Sequence, residues 1–567
     1  MTEFDPVSPT RPGDPDAGLA PRDGLVVASA KVTVAAALSR VTGFLRDVVL
    51  AGYFGATGLL DAYFVAVSVP GTVQLTVGSL LKTSFVAVYS RLLARGQREK
   101  AGRLNALILV LALAVAALAA ILITVFAGPL VRLVAPGLPP ADANLATAIL
   151  RVLSPLAILG LAESWAAGVL NSHGVFGVPA AVGIPRNLIL AAAVTLTAGA
   201  YGVWGLVGGA LASFALGTLW LLAVVRRLAP FSRPRPAAEK PELEAIASLA
   251  WPIIVANVAR RLEYFVDQIL ASFLGAGSIS AIAFGSKLAQ TPVGLLGAAV
   301  ATVLYPALAR RAGAPGESNS ATPPAAGRAA PATGPVALFH LTQQGWIGGA
   351  LVLAPFTGLL IALRVPIVDL IYGRGSFGWE AVTTTAWAMA FYAPAIIPWG
   401  WQPLTSRSFY ALGDSRTPAR VAVVAVAVNA ISSIALAPLL GVGGIALGTT
   451  IGATFHAALL SVLLARKVGR APEGRFWRSL GKIVVAAVVG AILTWGAVAL
   501  LGMVLPTGRL RALGGARPDQ LAELATVAIA SMVCLAGYAA TVLALRVPEA
   551  GLAWRALWSR FGRRPGR

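Results

Sequence analysis

Arg40, Arg46 and Asp47 lie within SRVTGFLRD, a stretch with apolar flanks. Further along, Arg260, Arg261, Glu263 and Asp267 interrupt an apolar run, and Lys287 stands between Ser286 and Gln290 in a third. A charged side chain at bilayer depth costs about 2.5–3.5 kcal/mol on insertion scales, so such residues are candidates for function. Arg40 precedes Arg46 by six residues and Asp47 by seven, which puts all three on one broad helical face. Gly43 between them lets a partner approach the backbone. Arg40, Arg46 and Lys287 outnumber the nearby acids, and a cationic surplus facing a cavity attracts an anion. Guanidinium groups match phosphate through charge-assisted, bidentate bonds, so a lipid pyrophosphate head group is the expected ligand. Asp267 and Asn429 offer oxygens to a small cation. Arg261 with Glu263, and Arg151, Glu163 and Arg186, read as packing or neutralising groups, and His340 and His456 as hydrogen-bonded or interfacial. The three histidines are far apart and there is one cysteine, Cys534, so neither a disulfide nor a zinc cluster is expected. No catalytic triad or paired carboxylate stands out, and the chain does not read as an enzyme.

The elements that position these residues follow from composition. Of 567 residues 57% are hydrophobic and 12% charged, about half the charge of an ordinary soluble domain, which excludes a soluble globular enzyme as the default. Apolar helices are expected near 25–53, 58–91, 104–127, 144–170, 178–200 and 203–225, then 244–273, 278–309, 336–361, 380–410, 419–440 and 443–465. Two more lie near 479–503 and 521–545. This predicts an all-α polytopic membrane protein with about 14 transmembrane helices. Lys and Arg exceed Asp and Glu by 22. With the N-terminus inside, the excess falls on inner connections such as 91–103, 226–240 and 466–478 and on the C-terminal tail, as the positive-inside rule requires. Both termini are then cytoplasmic. The charge thus orients spans, and nucleic-acid binding is not expected.

The chain is also internally repeated. RDVVLAGYFGATG (46–58) aligns with VDQILASFLGAGS (266–278), pairing Gly55 with Gly275, and HGVFGVPA (173–180) aligns with LGDSRTPA (412–419), pairing Gly174 with Gly413. Two six-helix lobes in parallel repeat, plus a C-terminal helix pair, is a transporter architecture with its site between the halves. The expected divisions are a disordered tail at 1–24, an N-lobe at 25–226 and a cytoplasmic connection at 227–243. A C-lobe at 244–466, with a flexible Pro/Ala/Gly linker at 310–335, precedes a helix pair at 467–546 and a basic tail at 547–567.

SRVTGFLRDVVLAGYFGATGLLDAYFVAVSVP (39–70) resembles the opening signature of the MurJ/MviN lipid II flippases. ASFLGAGSISAIAFGSKLAQTPVGLLGAAVATVLYPALAR (271–310), PIVDLIYGRGSF (366–377) and SFYALGDSRTPARVAV (408–423) are similar to further stretches of that family, in order. The resemblance implies the multidrug/oligosaccharidyl-lipid/polysaccharide flippase fold around a cationic cavity. It also implies transfer of the undecaprenyl-pyrophosphate-linked peptidoglycan precursor to the outer leaflet of the bacterial cytoplasmic membrane. Ser39, Arg40, Arg46, Asp47 and Asp61 match family cavity and gate positions, Ser280 a small polar one, and Lys287 a position where the family has arginine. Asp267 resembles the sodium ligand of some members, so coupling to sodium or to membrane potential is implied. The second span departs from the pattern: where the family reads Leu-Pro-Asn-Leu-Leu-Arg-Arg followed by an acid, this chain has VPGTVQLTVGS, with Gln74 near the arginine and Ser79 near the acid. Arg260 and Arg261 are the candidates to replace that cation. The alternatives are a flippase for another undecaprenyl-linked glycan, of O-antigen or exopolysaccharide type, and a scaffold for cell-wall synthesis proteins.

Overall fold

The computed structural model describes residues 22–234, 238–311, 334–504 and 520–549. The expected terminal tails and the 310–335 linker fall largely outside the described residues. The first lobe comprises α1 (Arg22–Phe54), α2 (Gly58–Ala94), α3 (Arg98–Val125), α4 (Ala127–Val134), α5 (Pro140–Leu153), α6 (Leu156–Ser172), α7 (Gly177–Ala181), α8 (Gly183–Tyr201) and α9 (Val203–Leu228). The second comprises α10 (Lys240–Ser272), α11 (Ser278–Arg311), α12 (Pro335–Ala362), α13 (Arg364–Tyr372), α14 (Trp379–Tyr392), α15 (Ile396–Ala411), α16 (Arg416–Leu440) and α17 (Val442–Val468). A last pair, α18 (Gly474–Val504) and α19 (Gln520–Ala544), packs against α12.

Each of the fourteen expected spans coincides with one of these helices or with a broken pair. The count of fourteen crossings is another matter. Among the described residues nine helical segments are long and apolar enough to cross a membrane, or ten if α5 and α6, bent by 45°, form one span. Two of the long helices outside that set have a chemical reason to be there: α1 carries Arg40, Arg46 and Asp47, and α10 carries Arg260, Arg261, Glu263 and Asp267. The polar residues that make a site are the ones that spoil an apolar span.

Matched glycines of the repeat share one backbone state. Gly55 and Gly275 have φ of 65° and 102°, and Gly174 and Gly413 have 77° and 73°. These values suit glycine because no Cβ meets the carbonyl. A third pair, Gly202 and Gly441, closes α8 and α16 with φ/ψ of 54°/−132° and 59°/−132°. Sequence comparison missed it because the surrounding residues are uniformly apolar.

One end of the molecule is basic, carrying Arg91, Arg95, Arg98 and Lys100 beside Arg226, Arg227, Arg466 and Lys467. Towards this end each lobe has its own apolar core. Phe85, Tyr89 and Trp165 lie in the first, and Phe339, Trp346 and Phe476 in the second. Towards the opposite end a single core fuses the lobes. There Phe284 packs against Phe64 at 5.8 Å, Tyr372 at 4.8 Å and Phe377 at 5.7 Å between ring centroids.

Candidate functional site

The cationic residues come together at the seam between α1 and α11. The Asp47 carboxylate, only 3% exposed, accepts Arg46 Nη2 at 2.8 Å on one oxygen and pairs with Lys287 Nζ at 2.6 Å on the other. Arg46 Nη1 also donates to Asn187 Oδ1 of α8 at 3.1 Å. Asn187 in turn donates to the Ser39 carbonyl at 3.0 Å. Two turns from Arg46, Arg40 donates to the Gly294 carbonyl of α11. This seam is therefore closed by charges and backbone bonds where a side-chain ridge would ordinarily pack. Two cationic groups, Arg46 and Lys287, share the one carboxylate, so the cluster keeps a net positive charge. Asp47 is the buried member and holds both cations, so its loss would leave two like charges facing each other at the seam.

Asn187 was not singled out from sequence, although a polar residue after Arg186 within an apolar span was the available signal. Ser39 turns its hydroxyl into the space that a Cβ on Gly183 would fill, so its side chain packs α1 on α8.

Asp61 and Ser280 are brought together elsewhere, at the end opposite the basic one. Asp61, 1% exposed, accepts the Gly277 N–H at 2.6 Å, the Ser280 N–H at 2.7 Å and the Ser280 hydroxyl at 2.5 Å. A carboxylate from α2 thus caps the N-terminus of α11, where unpaired N–H groups favour an anion. Further bonds join the lobes at this end. Ser376 donates its N–H to the Gly52 carbonyl at 2.8 Å and its hydroxyl to the Tyr53 carbonyl at 3.0 Å. Gly137 donates to Ser272 Oγ at 2.9 Å. These two residues belong to a seal and lie apart from the cationic cluster.

Gln74 is in neither group. Its side chain lies flat on Gly160 of α6, where a Cβ would collide with it. Arg261 does not pair with Glu263. It reaches across to α2, donating to Thr72 Oγ1 at 2.6 Å and to the Ser68 carbonyl, with its guanidinium 4.4 Å from the Tyr264 ring centroid. Arg260 donates to Asn257 Oδ1 at 2.5 Å, and Asn257 donates to Ser79 Oγ of α2 at 2.6 Å. The expected Glu163–Arg186 pair is present, with both carboxylate oxygens 3.1 Å from Nη1.

The second lobe encloses a cavity of about 500 Å³ lined in part by Arg260, Glu263, Asp267, Gln290, Thr449 and His456. Gly294, whose carbonyl Arg40 holds, also lines it, so the cationic seam adjoins this cavity, although the side chains of Arg40, Arg46, Asp47 and Lys287 do not line it. At its base Thr449 donates to Asp267 Oδ2 at 2.8 Å and accepts from Asn429 Nδ2 at 3.0 Å. Asp267 Oδ1 and Asn429 Oδ1 are buried with no hydrogen-bond partner. Buried acceptors normally have one, so two orphaned oxygens beside a hydroxyl are a set of hard donors suited to a small hard cation. Among the described residues no group of three or more His, Cys, Asp or Glu is placed to hold a metal ion. His456 corrects its sequence reading: its Nε2 is buried without a partner in the cavity wall. Cys534 is buried among apolar neighbours, as expected.

Comparison with known proteins agrees in kind. A family described as "Lipid II flippase MurJ" matches residues 50–506. A probable lipid II flippase MurJ from Synechocystis sp. is 24% identical over 94% of this chain and 97% of its own length. The lipid II flippase MurJ of Burkholderia cenocepacia is 27% identical over 81% of this chain and 88% of its own. Among solved structures, a lipid II flippase MurJ in an inward closed conformation superposes with a TM-score of 0.71 at 21% identity, covering 91% of this chain and 99% of that one. An inward-facing multidrug transporter of the MATE family superposes at 0.58 with 16% identity, over 77% of this chain and 94% of that one.

Proposed function

Because the chain belongs to the family of the lipid II flippase MurJ, we propose that its two lobes carry lipid II across the bacterial cytoplasmic membrane by alternating access. Lipid II is its substrate, and the chain is a multi-pass membrane transporter. The basic end lies in the cytoplasm and the Asp61–Ser280 end faces outward.

In this reading the described state is sealed outside by Asp61, Ser376 and the shared aromatic core. The α1–α11 seam beside the cavity is the entry side. A pyrophosphate brings two phosphates that compete with Asp47 for Arg46 and Lys287. Substrate binding thus weakens the bonds that tie α1 to α11 and admits the head group, while the polyprenyl tail stays in lipid. Arg40 and Arg260 supply further positive charge towards the cavity, Arg260 taking the side left without the family's second-span arginine. Rocking of the lobes then breaks the outer seal. The observation that carries this reading is the Arg46–Asp47–Lys287 cluster, two cations on one carboxylate, bridging the lobes. The test is rescue of cells depleted of their lipid II flippase. Failure with normal expression would move the substrate to another undecaprenyl-linked glycan.

The same reading gives Asp267, Asn429 and Thr449 a sodium ion to hold, which would couple the cycle to the sodium gradient. Asp267→Asn should lower sodium affinity by tenfold or more, about the worth of one charged ligand, measured as sodium-dependent thermal stabilisation of the purified protein. Unchanged stabilisation would remove the site.

A further inference from the structure

A second hollow, a groove of about 700 Å³, runs between α15, α17 and the first turns of α18 at the basic end. Its walls are apolar, with Trp401 from α15, Ala457 and Val462 from α17, and Phe476 and Leu480 from α18. Two charged side chains line it, Arg466 and Arg470. Other basic groups at this end have partners: Lys467 pairs with Asp414 at 2.5 Å, Arg475 with Glu549 at 3.9 Å, and Arg478 donates to the Gly474 carbonyl at 3.3 Å. Among the described residues Arg466 and Arg470 form no salt bridge with an acid. Their placement is built in. Gly469 ends α17 at φ 70°, and the Arg470 N–H returns to the Ala465 carbonyl at 3.0 Å, folding Arg470 back over the helix end beside Arg466. Trp477, 60% exposed, also lines the groove, and an exposed indole is a side chain that favours a lipid–water boundary.

An apolar wall facing lipid needs no special partner. Two unneutralised guanidiniums at the mouth of an apolar trough do, because phosphate matches their fork geometry and acyl chains match the walls. The first turn of α18 adds N–H groups to the same rim. We propose that this groove binds a diacyl phospholipid with an anionic phosphodiester head group, its phosphate between Arg466 and Arg470 and an acyl chain between α17 and α18. The site lies outside the cavity and does not depend on which glycan the protein carries. It would fasten α18 to the second lobe through a lipid.

The test uses the full chain in nanodiscs with a phosphatidylglycerol carrying a photoreactive acyl chain, and peptide mapping of the cross-links. Labels are expected on 457–465 and 476–484. The Arg466→Gln/Arg470→Gln double variant should lose about 25-fold in labelling affinity, about fivefold for each basic contact. Arg478→Gln, which removes one charge at the same end outside the groove, should keep it, whereas either Arg466→Gln or Arg470→Gln alone should lose about fivefold. Ser461→Trp, which fills the trough, should block labelling while both arginines remain. Thermal unfolding of each variant checks the fold. Equal labelling by a phosphatidylcholine probe, unchanged labelling in the double variant, or preferential labelling by an undecaprenyl-phosphate probe would each overturn the proposal, the last assigning the groove to the substrate tail.

Discussion

Lys287 shows how residue chemistry bears on mechanism. Its ammonium is a point charge that reaches Asp47 at 2.6 Å, whereas a guanidinium could hold Asp47 and a phosphate together. Lys287→Arg should therefore keep flipping, and Lys287→Gln should lose at least tenfold, about the worth of one charge-assisted bond, read as lipid II exposed on the outer leaflet. Arg46→Ala should abolish exposure while inserting normally, because Lys287 still neutralises Asp47 there. Wild-type exposure in that variant would remove Arg46 from the substrate path. Arg40, Arg46, Asp47 and Lys287 were legible as a group from residue type alone. Asn187, which aims Arg46, was not, because its place beside Arg186 in an apolar span does not say which helix it faces.

Among the elements, the junction of α15 and α16 is held by Asp414 in GDSRTP. Burial disfavours its charge. The Lys467 ammonium at 2.5 Å and the Thr417 N–H and hydroxyl at 3.0 and 2.8 Å outweigh that and bring the carboxyl down to about 2. A carboxyl lowered on folding stabilises above its unfolded value, near 4, and loses that contribution as pH falls through about 2. Asp414→Asn should thus lower the unfolding temperature by a constant amount between pH 5 and 8, with the difference shrinking below pH 4. A difference that persists unchanged at pH 3 would mean the carboxylate charge is not what holds the junction. The helices themselves were well placed from hydropathy. Their breaks, such as the 45° bend between α5 and α6, were not, although Pro155 at the start of α6 stands at this one.

At the scale of the whole molecule, two lobes share a core at one end and keep separate cores at the other. Rocking must break the shared end. A disulfide replacing the Asp61–Ser280 bonds, made as Asp61→Cys/Ser280→Cys, should hold that end shut. Flipping should stop on oxidation and return under reductant to the level of the Asp61→Cys single variant. Full activity of the cross-linked form would exclude opening at this end.

The sequence by itself determined the helical membrane class, the parallel repeat and the residues carrying intramembrane charge. Hydropathy, backbone φ at glycine and charge in an apolar run are local properties, readable one stretch at a time. Only the tertiary structure decided what those charges do. Asp47 meets Lys287 across 240 positions of chain, Asp61 leaves the cationic group to cap α11, Arg261 turns to α2 instead of Glu263, and Gln74 packs on Gly160. Each of these depends on which helix stands opposite, and in a chain of uniformly apolar helices the choice of neighbour is made by three-dimensional packing.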